Sequence, residues 1–439
     1  MQEAYTHIVL GLGVTGLSVV RYFSRQGIRP LVMDSRPKPA GADVLAEEFP
    51  DITLICGSFD VRYLVQAQQI IISPGIALNT AEVKAAADIG IEIIGDVELF
   101  ARELINQPPK VIGITGSNGK STVTTLVGEM AKQAGLKVSV GGNIGIPVLD
   151  LLHNDVGLYV LELSSFQLET TASLKCVAST CLNVTADHMD RYESLQAYRR
   201  AKLRLYDQSK LVVINREDEL TQPLQPKNQI SFGLNVPESD DWGIRNGAFV
   251  HGNSTLLSVN EAAAVGLHNQ ANILAAMALA DAAGIKTEAM NEVVKMFMGL
   301  PHRCEKVAEK NGITYINDSK ATNVGATLAA INGLREQLGE IILIAGGDAK
   351  GADLSPLIAG LEFVKKVIVF GKDAQQLAKL KDDTIRVENM AQAVTISAKE
   401  AETGDIVLLS PACASLDMYK SFAERGDDFK LQVEALHGF

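Results

Sequence analysis

Short apolar runs alternate along this chain with stretches in which apolar residues recur at helical spacing, and the pattern restarts twice. In the first segment His7-Ile8-Val9-Leu10 runs into a glycine turn, Gly11 to Gly16. A helix-like stretch to Gly27 follows, then an apolar run from Arg29 to Met33 that ends at Asp34. Further runs at Gln69–Ile72 and Ile91–Ile94 predict a small parallel α/β unit, and the polar, proline-bearing Asn106-Gln107-Pro108-Pro109 predicts a linker. The second segment opens with Val111–Ile114, a second glycine turn, and a helix with apolar residues at Val123, Leu126, Val127 and Met130. Buried strands are predicted at Lys137–Val140, Leu158–Leu163, Val177–Asn183 and Leu211–Ile214. After Thr221 the irregular, polar sequence predicts a smaller antiparallel portion, followed by a helix from Ala271 to Ala283. The third segment restarts near Cys304, with strands expected at Ile313–Ile316, Ile341–Ala345, Lys366–Phe370 and Ile406–Leu409. This is an α/β pattern in three domains, 1–97, 98–303 and 304–439, with sites expected in the crevices between them.

Composition narrows the picture. A chain of 439 residues is too long for one core, and 47% apolar with 21% charged residues is ordinary for a soluble globular protein. The net charge of −12 argues against nucleic acid or an anionic membrane as a partner. A bound nucleotide then has to be held by local cations and helix N-termini. The five cysteines contain no C-x-x-C pair and are expected to be thiols in a reducing compartment. No apolar run reaches membrane-spanning length, and no charged-then-apolar leader is present, so a cytoplasmic protein without membrane insertion is expected.

The richest chemistry lies in Thr115-Gly116-Ser117-Asn118-Gly119-Lys120-Ser121-Thr122. A strand, a glycine turn and a helix beginning Gly-Lys-Ser form a phosphate cradle, with Lys120 for the outer phosphates and Ser121 for Mg2+. The spacing departs from G-x4-G-K-[ST], because Ile114 stands where the first glycine would be. ATP is the expected ligand. The first turn, Gly11 to Gly16, fits G-x-G-x-x-G with Asp34 beyond it, which by itself spells a dinucleotide. The same geometry holds the diphosphate of a nucleotide sugar, with Ser73-Pro74-Gly75 ending a neighbouring strand; a turn without any ligand also remains open. Gly141 to Gly145 is either a close approach to a ligand or a structural turn. Glu162 ends the strand after the ATP loop, where an NTPase places its Mg2+-organising acid. Asp187, His188, Asp190 and Arg191 cluster on a strand-end loop. Lys202, in an Arg-rich helical stretch, reads from spacing alone as a solvated cation. The polar residues from Gly266 to Asn272 either cap the following helix or meet a base. Arg303, at the last boundary, is placed to swing onto a phosphoryl group. Polar clusters at 317–323, 346–350 and 410–415 follow three strands of one domain and predict a site for a small polar or anionic molecule.

Taken in order, GSNGKST, GGNIG, ELSSFQLE, NVTADHMDRY, GLHNQAN, GLPHR, NDSKATN and SPACASLD resemble the Mur ligases over essentially the whole chain. These are ATP-dependent amide-forming enzymes of peptidoglycan synthesis. NDSKATN, and the absence of Asp-Asn-Pro-Arg, set the chain apart from the diaminopimelate- and lysine-adding members. Folylpolyglutamate synthetases, the outside relatives, lack the preceding nucleotide-sugar domain. The resemblance implies a Rossmann-like N-terminal domain, a central P-loop ATPase domain with a parallel sheet plus a smaller antiparallel portion, and a Rossmann-like C-terminal domain. It implies UDP-N-acetylmuramoyl-L-alanine and D-glutamate as substrates of a monomer, joined through an acyl phosphate.

The implied uridine and diphosphate contacts are Thr15, Asp34, Ser35, Arg36, Ser73 and Gly75, with Asn143, Gln167 and His188 at the muramoyl end. The ATP loop, Gly116, Asn118, Gly119, Lys120, Ser121 and Thr122, is joined as an ATP site by Asn272, Arg303 and Asp318. Ser121 and Glu162 would hold one Mg2+ and His188 a second. Thr322, Lys350, Ser415 and Phe422, with Lys320 nearby, resemble D-glutamate contacts. The family also implies that CO2 carbamylates Lys202, turning a cation into an anion at the second metal site. Lys120, His188, Lys202 and Arg303 are then the catalytic set. Family members vary around Glu193-Ser194 and Gly351-Ala352, which leaves local loop geometry open there. Two rivals remain at this point: a nicotinamide-dependent oxidoreductase built on the first glycine turn, and an ATP-binding module without amide chemistry.

Overall fold

The computed structural model describes residues 5–104, 109–153, 155–264, 266–335 and 339–436. Of the expected linker Asn106–Pro109, all but Pro109 lies outside the described residues. The first sheet is wholly parallel, in the spatial order Leu54–Cys56, Leu31–Asp34, His7–Leu10, Gln69–Ile72, Glu92–Ile94. Strands covered on both faces read as continuous apolar runs, as the three central ones do. Val9, Val32 and Ile71 face one core, while Ile8, Leu10, Leu31, Met33, Ile70 and Ile72 face another. The three-residue edge strand Leu54–Cys56 is only half-buried and carried no such signature.

The core on the Val9 side does not stop at the first domain. It continues through Val97 and Phe100 of the helix Asp96–Glu103 to Tyr159 and Leu161 of the second sheet. The Phe100 and Tyr159 rings meet edge to face at 5.0 Å. That helix straddles residue 97.

The second sheet has nine strands, in the order Ser254–Ser258, Ala248–His251, Trp242–Arg245, Gln229–Phe232, Ser209–Asn215, Cys176–Cys181, Lys110–Thr115, Leu158–Glu162, Val138–Gly142. Among the described residues, only Trp242–Arg245, Ala248–His251 and Ser254–Ser258 pair antiparallel to one another in this sheet. The smaller antiparallel portion therefore continues the parallel sheet. The helices Lys120–Gln133 and Leu267–Ala282 share the core over its face. The second of these begins at Leu267, directly after Gly266 at φ +96°. The polar cluster expected ahead of this helix thus lies within its first turns.

The third sheet has six strands, in the order Glu305–Lys310, Ile313–Asn317, Ile406–Leu409, Ile341–Gly346, Val364–Phe370, Ile385–Arg386. Among the described residues, only the charged edge strand Glu305–Lys310 is antiparallel in this sheet. Ile313–Asn317, Ile406–Leu409 and Ile341–Gly346 are parallel neighbours, so the polar clusters that follow them share one sheet edge.

Candidate active site

The phosphate loop grows out of the buried strand Lys110–Thr115, turns through Gly116 at φ +147° and Gly119 at φ +84°, and enters the helix at Lys120. These left-handed conformations favour glycine. At Gly119 a side chain would also strike the Asn272 amide. The Lys120 ammonium curls over the loop and donates to the Gly116 and Ser117 carbonyls at 2.8 and 3.0 Å. Burial lowers its pKa.

Ile114 and Glu162 are register partners on adjacent strands, which brings the carboxylate beside the loop. Ser121 Oγ donates to Glu162 Oε2 at 2.6 Å, and Asn143 Nδ2 donates to Oε1 at 2.8 Å. Arg303 Nη2 reaches from the domain boundary to Ser121 Oγ at 2.7 Å. A hydroxyl and a carboxylate oxygen so close together are spaced like adjacent corners of an octahedron, and both are hard oxygen donors, so the pair fits Mg2+.

Lys202 contradicts the solvated cation expected from its spacing. It lies on the helix Leu195–Leu203, is 1% exposed, and donates to the Gly116 carbonyl at 2.8 Å. Its ammonium sits 4.3 Å above the Tyr198 ring, one helical turn back. Burial, with Lys120 nearby, pushes its pKa down to about 7. The flanking Arg199 and Arg200 disguised a buried face. His188, at φ +56°, presents its ring to the edge of Phe166 at 4.9 Å, and burial lowers its pKa toward the neutral imidazole.

Lys120, Ser121, Glu162, His188, Lys202 and Arg303 all line one cleft of about 420 Å3. Its opposite wall comes from the third domain: Lys320, Thr322, Lys350, Ser415 and Phe422. The Lys320 ammonium lies 4.1 Å over the Phe422 ring, and burial beside Arg303 and Lys120 pushes it down to about 8. Sequence reasoning missed Tyr198 and Phe166 in this cleft, and had Asn323 only as the end of the polar cluster 317–323. Asn323 caps the helix Val324–Leu334 by accepting from the Ala326 N–H at 2.9 Å. It also donates to Asn118 Oδ1 at 3.2 Å and to Asp187 Oδ2 at 3.3 Å, tying the third domain to the phosphate loop.

A second pocket of about 300 Å3 opens beside the loop, lined by Asn118, Gly119, Thr122, Asn272, Arg303 and Asp318 among others. Gly116 lines neither space and serves through its carbonyl, which receives both lysines. Asp318 accepts from Ser410 Oγ at 2.8 Å and from the Cys304 N–H at 3.2 Å, and burial pushes its carboxyl up to about 7.

A third pocket, about 610 Å3, lies between the first and second domains. Thr15, Asp34, Ser35, Arg36, Ser73 and Gly75 line it from one side, Asn143 and Gln167 from the other. His188 is not part of this pocket; Asn143 lines it and the central cleft alike. Asp34 accepts from the Leu12 N–H at 2.8 Å and pairs with the Arg36 guanidinium at 2.6 Å. The Arg36 guanidinium and the backbone N–H groups of Leu12 and Arg36 hold its pKa down to about 2.

Three α/β domains around a phosphate loop, with a second pocket beside that loop and a third sharing Asn143 with the cleft, have the layout of a multi-substrate P-loop enzyme. Residues 5–95 match the family model "Mur ligase MurD-like, N-terminal domain", residues 114–280 "Mur ligase middle domain", and residues 302–413 "Mur ligase, glutamate ligase domain". The chain belongs to the Mur ligase family. It is 63% identical to the UDP-N-acetylmuramoylalanine–D-glutamate ligase of Shewanella oneidensis, with 100% of each chain covered. It is 50% identical to the enzyme of the same name from Escherichia coli K12, with 96% of each covered. Among solved structures, MurF ligase from Thermotoga maritima in complex with ADP shares the fold at a TM-score of 0.62 and 17% identity, covering 99% of each chain. A pseudomurein peptide ligase type C from Methanothermus fervidus does so at 0.62 and 18%, covering 98% of this chain and 100% of that one. Family membership sets aside the nicotinamide-dependent alternative. Among the described residues no helix is long and apolar enough to cross a membrane.

Proposed function

We propose that this protein is an ATP-dependent ligase joining UDP-N-acetylmuramoyl-L-alanine to D-glutamate, a step of peptidoglycan precursor synthesis, acting as a cytoplasmic monomer. The observation that carries the reading is the shared wall at Asn143, which lines both a pocket fit for a nucleotide sugar and the cleft that holds the phosphate loop. The names of the full-length relatives agree with it. Residues 1–97 would bind the UDP-sugar, 98–303 ATP, and 304–439 the amino acid.

The acceptor carboxylate attacks the γ-phosphorus of ATP; a carboxyl O–P bond forms as the bond to ADP breaks. The amine of D-glutamate then attacks the acyl carbon, and inorganic phosphate leaves with the former carboxylate oxygen. Lys120 and Arg303 offset the charge that accumulates on the transferred group. Ser121 and Glu162 would hold a Mg2+, and His188 with Lys202 as its carbamate a second; bound there, the ions supply electrostatic stabilisation of phosphoryl oxygens. The lowered pKa of Lys202 supports the carbamate, because only the neutral amine reacts with CO2. A neutral His188 is a candidate to take the proton from the attacking amine, although metal ligation competes with that role. Asn272 and Asp318 would hold the nucleoside; Lys320, Thr322, Lys350, Ser415 and Phe422 would hold D-glutamate. Closure of the third domain, fastened by Asn323 to Asn118 and Asp187, keeps water from the acyl phosphate.

The test is phosphate release from ATP and Mg2+ with UDP-N-acetylmuramoyl-L-alanine. Parallel reactions contain D-glutamate, L-glutamate, L-lysine, meso-diaminopimelate or no amino acid. Release with D-glutamate alone, matched by a new amide, is expected. Release with another amino acid overturns the specificity, and no release from ATP-binding protein overturns the ligase reading in favour of a binding module.

A further inference from the structure

The loop after the strand Gln69–Ile72 gives Ser73 and Gly75 to the nucleotide-sugar pocket. On its inner side it is fastened to the glycine turn, where Ser73 Oγ donates to the Gly11 carbonyl at 3.1 Å. On its outer side it is held from another domain. Arg191 Nη1 donates to the Pro74 carbonyl at 3.3 Å and Nη2 to the Ile76 carbonyl at 3.0 Å. The same guanidinium pairs with Glu169 at 3.5 Å and stacks 4.5 Å over the Phe166 ring. Phe166 in turn meets His188 edge to face, and the Arg191 N–H donates to the His188 carbonyl at 2.9 Å. Arg191 lines neither the nucleotide-sugar pocket nor the cleft, yet it touches the walls of both.

We infer that Arg191 is a positioning residue that fixes the span between the nucleotide-sugar loop and His188, and so the register of the acceptor's reacting carboxylate. The inference rests on the ligase reading proposed above. An acceptor bridging two pockets can convert nucleotide binding energy into rate at its far end only if the pockets keep a fixed separation. Two carbonyls on one loop, gripped by one planar fork, fix that loop in rotation as well as in distance. The stack on Phe166 and the pairing with Glu169 fix the fork itself. A lysine has the charge but not the planar fork, so it cannot grip both carbonyls in one plane while lying flat on Phe166.

The experiment compares wild type, Arg191→Ala and Arg191→Lys in three measurements. These are kcat/KM for UDP-N-acetylmuramoyl-L-alanine, KM for ATP, and calorimetric affinity for UDP alone. Arg191→Ala is expected to lower kcat/KM for the acceptor on the order of 10- to 100-fold, the cost of a misplacement of about 1 Å. UDP affinity and the KM for ATP should stay within about twofold, because neither ligand spans both pockets. Arg191→Lys should fall between wild type and Arg191→Ala. Acceptor kcat/KM within about twofold of wild type overturns the inference, as does an equal loss in UDP affinity, which would mark a nucleotide contact instead. Should Arg191→Ala fail to fold by circular dichroism, Arg191→Lys decides: a fall in kcat/KM with UDP affinity kept supports the inference, and unchanged kcat/KM overturns it. No amide from wild type removes the ligase reading and this inference with it.

Discussion

Replacing Asp318 with Asn should make the nucleotide-free protein more stable and a worse ATP binder. Asp318 is 8% exposed, and its two oxygens accept from the Ser410 hydroxyl and the Cys304 N–H. Those two bonds and the nearby Arg303 favour the carboxylate, but burial outweighs them and pushes the pKa up to about 7. An unperturbed Asp titrates near about 3.9, so the rise is about three units, or about 4 kcal/mol against the charged form at pH 8. The folded protein holds this proton more tightly than the unfolded chain does. Stability is therefore lost as pH climbs from about 4 to about 7, the reverse of a salt-bridged carboxylate. Asn keeps the shape and can still accept from Cys304, while the Ser410 hydroxyl can turn to accept from its amide.

The expected gain for Asp318→Asn is about 2–4 kcal/mol at pH 8, shrinking to less than about half of that at pH 5. Urea denaturation without nucleotide, at both pH values, measures it. Hydrogen exchange at the strand Ile313–Asn317 assigns the transition to the third domain, since three domains need not unfold together. The functional counterpart is an ATP affinity lowered by about tenfold or more, as expected on losing a charged hydrogen-bond acceptor. A variant less stable than wild type at pH 8, or a difference indifferent to pH, would refute the reasoning.

Lys202→Ala should cripple amide formation, and a short-chain carboxylate such as acetate should partly restore it by returning an anion to the space of the carbamate. Unchanged activity without rescue would remove the carbamate from the mechanism. Gly16→Ala is expected to destabilise the first domain by about 1–3 kcal/mol, because the new methyl would overlap the Gly11 carbonyl oxygen. Chemical denaturation reads the loss, and UDP affinity should fall while ATP affinity holds; an equal loss of both would place the damage elsewhere.

The parts of this molecule legible in the sequence are those whose determinants are contiguous. The phosphate loop shows because strand, turn and helix follow one another without a break from Lys110 to Gln133. The buried parallel strands show because both faces are covered. Edge strands show less evenly: Glu92–Ile94 and Val138–Gly142 keep an apolar run, but Leu54–Cys56 is short, Glu305–Lys310 is charged, and Ile385–Arg386 has two residues. Lys202 was misread because its burial depends on the Gly116 carbonyl, 86 residues away, which no local window contains. Arg191 was read only as a member of a loop cluster; its contacts hid for the same reason, since its acceptors lie 115 and 117 residues upstream in another domain. Resemblance to a family recovered the first of these and said nothing of the second.

The charge of the molecule and the charge of its cleft point in opposite directions. The chain carries a net −12, yet Lys120, Lys202, Arg303 and Lys320 converge on a space where Glu162 and Asp187 are the facing carboxylates. Burial lowers the pKa of each of these four cations. A protein selected for stability alone would not bury like charges together, since each disfavours the charged form of the next. The arrangement makes sense if polyanionic ligands complete it. Phosphates and a carboxylate entering the cleft supply the missing counter-charge at low dielectric, where it acts most strongly. An acidic surface and a cationic interior site are thus compatible: field lines from a few desolvated cations govern the cleft, and the net charge governs only what approaches from a distance.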